Sequence, residues 1–101
     1  MGKLIKVFWR DIPSQIIFKT KSGRFKKQMS PRFAEAIDRA AMRAGKGSSS
    51  AYIAEWRRET ELIKEDVSNN FLTEEVQKLQ NLFSEEDLKA LIKNHGQKLI
   101  H

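Results

Sequence analysis

Residues 4–29 read LIKVFWRDIPSQIIFKTKSGRFKKQM, and this stretch decides the fold. Residues typical of strands, β-branched or aromatic, concentrate in the segments 4–9, 15–20 and 24–29. The first gap contains Pro13, which cannot donate to a strand ladder, and the second contains Ser22-Gly23, a two-residue turn signal. The sequence therefore predicts a three-stranded antiparallel β-meander.

The segment after the meander predicts a helix that covers the sheet. Ser30 suits the N-cap and Pro31 the first helical position. Apolar residues then recur at helical spacing, at Phe33, Ile37, Ala40, Ala41 and Ala44, and Gly45 is typical of the position just past a helix. Together with the strand faces, this pattern predicts a core of Val7, Trp9, Ile16, Phe18, Phe33, Ile37, Ala41 and Trp56.

Residues 51–58 fit two structures. Alternation along a strand would place Tyr52 and Trp56 on one side, and helical spacing would also bring these two residues together, at i and i+4. The preceding serine cap and the run of Ala, Glu and Arg favour a helix, and a strand stays open as the alternative. Residues 59–70 carry a weak pattern, which indicates a frayed helix end and a loop.

The C-terminal segment predicts a pair of helices. Thr73 and Ser84 each precede acidic residues, which are favourable near the positive end of a helix dipole. The predicted fold is thus α+β, a three-stranded antiparallel meander packed against helices, with a C-terminal helical pair. We expect one domain over residues 1–101, in which residues 1–58 form the core and residues 59–101 an acidic helical tail.

The net charge of +6 hides an uneven distribution. Residues 1–30 carry a net +7, residues 31–58 a net +3 and residues 59–101 a net −4. A basic front can attract polyanions, or it can be covered by the chain's own acidic tail. No apolar run is long enough to span a membrane or to form a signal peptide, and we expect a cytoplasmic protein.

The residue types give no sign of catalysis. There are no cysteines, which excludes disulfides and thiolate chemistry, and the two histidines, His95 and His101, lack metal-binding spacing. Glycine-rich phosphate loops are absent from the sequence, and Asp11 is placed to cap a turn. We therefore expect no catalytic residue, no metal, no cofactor and no enzymatic activity.

A basic hairpin is the first candidate surface. Its cations flank the Ser22-Gly23 turn and are Lys19, Lys21, Arg24, Lys26 and Lys27. Such a ribbon can track phosphates, and Phe18 or Phe25 could stack on a base. The alternative is that lysines on an edge strand only prevent sheet-to-sheet aggregation. Alternation turns Phe18 toward the side of Ile16, and so toward the core, which favours this second interpretation.

Three segments taken together, residues 7–15, 31–45 and 51–58, carry a resemblance. They include Val7-Phe8-Trp9-Arg10-Asp11-Ile12-Pro13 and Ala51-Tyr52-Ile53-Ala54-Glu55-Trp56-Arg57-Arg58. The chain resembles the small bacterial domain family called virulence factor, which is related to the C-terminal domain of conserved virulence factor C. The resemblance covers about residues 3–58 and implies an accessory role near one-carbon or methyl-transfer metabolism.

The leading hypothesis is therefore a non-enzymatic accessory or regulatory protein that binds a protein partner, such as a methyl-transfer or folate enzyme. The predicted partner-binding residues are Arg10, Asp11, Arg39, Arg43 and Arg58. Of these, Arg10, Asp11, Arg39 and Arg58 come from the resembling segments and are expected to converge on one side of the domain. The alternative function is a nucleic-acid-binding module that uses the hairpin 19–27.

Overall fold

The computed structural model describes residues 2–46, 49–65, 67 and 70–98. Within these residues the elements are β1 (Gly2–Trp9), β2 (Ile12–Thr20), β3 (Gly23–Gln28), α1 (Pro31–Arg43), α2 (Ser49–Ile53), β4 (Trp56–Ile63), α3 (Phe71–Asn81) and α4 (Glu85–Lys93). The predicted α+β class and the C-terminal helical pair are confirmed. The residues at 47–48 in the predicted loop after α1 and the chain end at 99–101, including His101, lie outside the described residues.

The sheet has four strands in the order β3-β2-β1-β4. The predicted meander forms its first three strands, since β1 pairs with β2 and β2 with β3, both antiparallel. The prediction of only three strands is wrong, because β4 joins the free side of β1, with Gly2 opposite Ile63 and Trp9 opposite Trp56. Strand β1 is therefore central rather than an edge strand.

Residues 51–63 contain both of the structures that the sequence left open. Helix α2 ends at Ile53, and strand β4 begins at Trp56 after a two-residue turn. The helix expected over residues 51–58 is thus wrong for its second half, and the helix end and loop expected from residue 59 are wrong as far as Ile63. Strand β4 exposes most of its residues, so it lacks the apolar alternation by which the other strands are recognised.

The main core lies between one face of the sheet and the helices. Leu4, Ile16 and Phe18 supply the sheet side, and Phe33 at 0% exposure supplies part of the helix side. The C-terminal helices belong to this same core through Val76, Leu79, Phe83, Leu88 and Leu91. Residues 59–101 are therefore more than an appended tail, because they complete the sheet and a large part of its cover.

The ends of the helices show how α1 and α4 are fixed. Ser30 makes no side-chain cap, and its backbone N–H instead donates to Gln80 Oε1 of α3 at 2.8 Å. Ser84 forms a capping box with Asp87 at the start of α4, as its place before the acidic residues suggested. One helix is thus anchored by a neighbouring helix and the other by its own side chains.

The predicted core residues are largely confirmed. Seven of them are buried, namely Val7, Trp9, Ile16, Phe18, Phe33, Ile37 and Ala41, whereas Trp56 is only half-buried. Trp9 lies at the end of the sheet, where it stacks on Tyr52 and donates from Nε1 to the Tyr52 carbonyl at 3.0 Å. Burial, and secondly the charge of Asp38, raise the pKa of the Tyr52 hydroxyl.

Candidate functional site

One face of the sheet is not covered by any of the described helices, and we call it the open face. Residues paired across antiparallel strands share a face. The strand register therefore places on this side Lys3, Ile5, Val7, Gln15, Ile17, Lys19, Arg24, Lys26, Gln28, Arg58, Thr60 and Leu62. Ile5, Val7 and Ile17 form a small separate cluster, joined by Trp56 and by no buried residue of a described helix.

The open face is strongly basic. Its cations are Lys3, Lys19, Arg24, Lys26 and Arg58, and none of the described strand positions on this face is acidic. The carboxylates of β4, Glu59 and Glu61, point to the opposite side, since they pair with Lys6 and Leu4. Among the described residues, none of the five cations makes an ion pair.

Three of these cations stand in one row. Lys3 lies directly opposite Lys19, and Lys19 lies directly opposite Arg24, so equal charges face each other across three neighbouring strands. Neighbouring strands are about 5 Å apart. Like charges placed directly opposite each other destabilise a sheet. This row therefore costs stability, and the described structure offers no anion to offset it.

Little apolar surface accompanies this charge. Ile5, Val7 and Ile17 are between 1% and 7% exposed beneath the longer polar side chains. At one end of the face a small cleft of about 270 Å³ opens beside Val7, Gln15, Trp56, Arg57 and Arg58. The open face thus combines a broad cationic surface with one half-buried aromatic residue at its border.

The cations of the predicted basic hairpin do not all lie on the same face of the sheet. Lys19, Arg24 and Lys26 lie on the open face, and Lys21 lies in the exposed turn between β2 and β3. Lys27 pairs with Ile16 and so points to the helix side. The hairpin set therefore does not form one surface, and the cations added from elsewhere are Lys3 and Arg58.

The two aromatic residues of the hairpin have different environments. Phe18 is buried, as its alternation with Ile16 predicted. Phe25 lies opposite Phe18 on the helix side and is 51% exposed. Neither ring therefore lies on the open face, where a stacked base would need it.

Arg10 and Asp11, the first predicted partner-binding residues, are taken up by structural contacts. Arg10 adopts a positive φ of 53° and donates to the carbonyl of His95 at 2.9 Å and to Glu55 at 3.3 Å. The Asp11 carboxylate accepts from the backbone N–H of Lys98 at 2.6 Å. This turn ties together β1, the turn before β4 and the segment after α4.

Arg57 secures the same turn and was not predicted. Its Nε donates to the carbonyl of Arg10 at 2.7 Å, and its guanidinium pairs with Asp11 at 3.2 Å and with Glu59. The guanidinium also lies over the ring of Phe8, 4.4 Å from its centroid. The sequence does not indicate which of the adjacent residues Arg57 and Arg58 points to the helix side of the sheet, because that depends on the register of β4 against β1.

Arg39, Arg43 and Arg58 do not lie on one side of the domain. Arg39 and Arg43 are exposed on α1, which covers the helix side of the sheet, whereas Arg58 lies on the open face. The sheet therefore separates Arg58 from α1, and Arg39 and Arg58 do not converge as expected. Whether Arg39 and Arg43 bind a partner stays a prediction.

Two further features are absent from the described part of the chain. No group of three or more His, Cys, Asp or Glu side chains is placed there to hold a metal ion. No helix there is long and apolar enough to cross a membrane.

A protein-family model described as "Virulence factor" matches residues 7–92. This match covers the last three residues of β1, the other strands and nearly all of the helices, so it extends beyond the resembling segment 3–58 on the C-terminal side. The chain belongs to this virulence-factor family. No curated protein and no solved structure matches the chain.

Proposed function

We propose that this protein is a non-enzymatic accessory protein that binds a nucleic acid on its open face. The observation that carries the proposal is the row of Lys3, Lys19 and Arg24, in which cations face each other without an anion among the described residues. A phosphate backbone is the anion that such an array accommodates best, since successive phosphates offset the repulsion along the row.

The side-chain types support a nucleic acid over a protein as the main partner. Lysine is depleted in the cores of protein–protein interfaces, whereas lysine and arginine neutralise phosphates. Three of the five cations on the open face are lysines, and the apolar residues beneath them are almost wholly buried. With no aromatic ring at the centre of the face, binding depends on the backbone and has weak sequence preference.

Titration of a labelled single-stranded RNA at several salt concentrations tests the proposal. The test variant carries Lys3→Gln, Lys19→Gln, Lys26→Gln and Arg58→Gln. Four phosphate contacts contribute about −3 to the log–log salt slope, so the variant, which keeps Arg24, should bind weakly with a slope shallower than that of the wild type by about this amount. The matched control removes four charges elsewhere, through Arg39→Gln, Arg43→Gln, Lys89→Gln and Lys93→Gln, and should retain most of the slope. Equal losses in both variants would show that only net charge matters and would refute the role of the open face.

A protein partner from one-carbon or methyl-transfer metabolism is the second candidate. The specific observation that favours it is the cleft beside Trp56 and Arg58, because Trp and Arg are the residue types enriched at the centres of protein interfaces. The family membership supports the same view through the accessory role that the resemblance implies. An acidic surface of such an enzyme would meet the open face at this end.

Capture from native extract separates the two candidates. Wild-type protein, the four-charge variant of the open face and Trp56→Ala are each used as bait, and bound RNA and bound protein are both identified. A nucleic acid partner predicts RNA that survives Trp56→Ala and is lost with the four-charge variant. Recovery of one methyl-transfer or folate enzyme by the wild type, lost with Trp56→Ala and resistant to nuclease, would place the protein partner first.

A further inference from the structure

A second concave surface lies on the other side of the sheet. It is a groove of about 660 Å³ between β1, β4 and the two C-terminal helices, and its apolar lining includes Phe8, Leu79, Phe83 and Leu91. This volume falls within the roughly 300–1,000 Å³ that is typical of small-molecule sites. The groove shares no cation with the open face, since Lys6 and Lys3 lie on opposite sides of β1.

The acidic side chains that line the groove are already engaged. Asp11 pairs with Arg57 and accepts from the Lys98 backbone, and Glu59 pairs with the same arginine. Asp87 accepts from the backbone N–H of Ser84 at 2.9 Å, in the cap of α4. These carboxylates are therefore committed to structural hydrogen bonds and ion pairs.

Two cations of the groove make no ion pair among the described residues: Lys98, which is exposed after α4, and Lys6, which lies within the sheet. Lys6 is half-buried on β1. Its cross-strand neighbour, Glu59, is held by Arg57. An ammonium without an ion-pair partner gains a charge-assisted hydrogen bond from an anion bound beside it.

An exposed apolar side chain at the mouth of the groove is a second feature that a ligand would have to match. Leu82, which caps α3 and lines the groove, is 72% exposed. An occupant that covers Leu82 would remove apolar surface from water. The groove therefore suits a molecule with an apolar body and one anionic end.

We propose that this groove binds a small amphipathic carboxylate, with its carboxylate at Lys6 and its apolar body against Leu82, beside Leu79 and Leu91. This site is independent of the open face, so its test does not depend on nucleic-acid binding. The class of ligand is set by the Lys6 ammonium on β1 and by the leucines of the C-terminal helical segment that line the groove, and it fits an aliphatic or aromatic carboxylic acid.

The test uses the fluorescent probe 8-anilinonaphthalene-1-sulfonate, which has an apolar body and one anionic group. The wild type should bind one equivalent saturably, decanoate should displace it, and the neutral analogue decanol should displace it less well. In Lys6→Met, which keeps an apolar side chain of similar length, the affinity for decanoate should fall about tenfold and the advantage over decanol should vanish. Lys3→Met, the same change on the other side of β1, is the matched control and should bind as the wild type does.

A blocking variant makes the location explicit. Ala90 is exposed on α4 and lines the groove, so Ala90→Trp should fill it and abolish probe binding. Unchanged melting temperature and near-ultraviolet circular dichroism of each variant would exclude binding to an unfolded or loosened state. Probe binding that survives Ala90→Trp, or equal loss in Lys3→Met and Lys6→Met, would refute the site.

Discussion

Lys19 stands at the centre of the cationic row, with Lys3 on one side and Arg24 on the other. Changing it to Glu replaces two repulsive cross-strand pairs by two attractive ones. We expect Lys19→Glu to raise the free energy of unfolding by about 0.5–1 kcal/mol, measured by urea denaturation, and to abolish binding of RNA. A gain in stability together with a loss of RNA binding would identify Lys19 as a residue of the binding surface.

Lys27→Glu is the control for this prediction, because Lys27 lies on the other side of β3 opposite Ile16. It makes the same change in net charge without creating a cross-strand ion pair. Lower stability in Lys19→Glu, or an equal gain in Lys27→Glu, would contradict the argument from the row.

Gly96 is fixed by both its backbone and its neighbours. Its φ is +85°, and a Cβ at this position would lie 2.8 Å from a ring carbon of Trp9, which is fully buried. Gly96→Ala should therefore lower the free energy of unfolding by about 2–4 kcal/mol, the sum of backbone strain and overpacking.

Gly45→Ala separates the two causes, since Gly45 has a similar φ of +72° and nothing within 4 Å of the added Cβ. It should cost only the backbone strain, about 1 kcal/mol. Thermal melts of both variants measure the difference. Equal losses would show that Trp9 can yield to the added methyl group.

At the scale of the elements, alternation predicted β1, β2 and β3 and helical spacing predicted α1, although β2 begins at Ile12 and includes Pro13, which was expected to interrupt the strands. Strand β4 was not predicted because Arg57, Arg58 and Glu59 give it charged residues on both faces. A strand can carry charges on both faces when it lies at an edge of the sheet, as β4 does. Its strand conformation comes from pairing with β1, which is distant in sequence. Local pattern cannot reveal such a partner.

The open face was predictable only in part for the same reason. Lys19, Arg24 and Lys26 are close in sequence and were recognised as a basic hairpin. Lys3 and Arg58 join them through the β1–β2 and β1–β4 registers, which a single sequence does not specify. Lys27 does not belong to the open face, although it was grouped with the other cations of the hairpin. Alternation along β3 places it on the helix side of the sheet.

Helix α4 depends on a carboxylate at its start. The backbone hydrogen bond from Ser84, and secondly its side chain, lower the pKa of the Asp87 carboxyl. A lowered folded-state pKa means that this stabilisation is present above the unfolded value of 3.8 and is lost as the pH falls through the folded value. Asp87→Ala should therefore destabilise the protein at neutral pH and differ less from the wild type at about pH 2.

Glu86→Ala serves as the reference for this pH dependence, because Glu86 is exposed and makes only a long ion pair with Lys89 at 3.9 Å. Urea denaturation of the three proteins at both pH values gives the comparison. A difference between Asp87→Ala and the wild type that persists unchanged in acid would show that the ionised carboxylate is not the cause.

At the scale of the whole molecule, the described elements after residue 58 pack into the same sheet and core as those before it. Residues 59–63 belong to the sheet, and α3 and α4 contribute Val76, Leu79 and Leu88 to the main core. A fragment of residues 1–58 should therefore be unfolded by circular dichroism, since it lacks most of β4 and leaves the helix side of the sheet partly bare. A fragment of residues 1–98 should melt cooperatively, close to the full chain.

A cooperative melt of the fragment 1–58 would restore the original division of the chain into a core and a tail. In the sequence, the positive charge is concentrated in the N-terminal part and the negative charge in the C-terminal part. In the structure, the basic open face and the acidic helices lie on opposite sides of the sheet. The acidic residues are thus unable to cover the open face from α3 or α4.

The pairing of β4 with β1 also bears on how fast the protein unfolds. The contacts of β1, β2 and β3 are local, whereas Gly2 must meet Ile63 across most of the chain. Closing so long a loop costs entropy, so we expect β4 to dock after the transition state of folding. Substitutions in β4 should then speed unfolding and leave the refolding rate almost unchanged, which makes this strand the element that sets the lifetime of the native state.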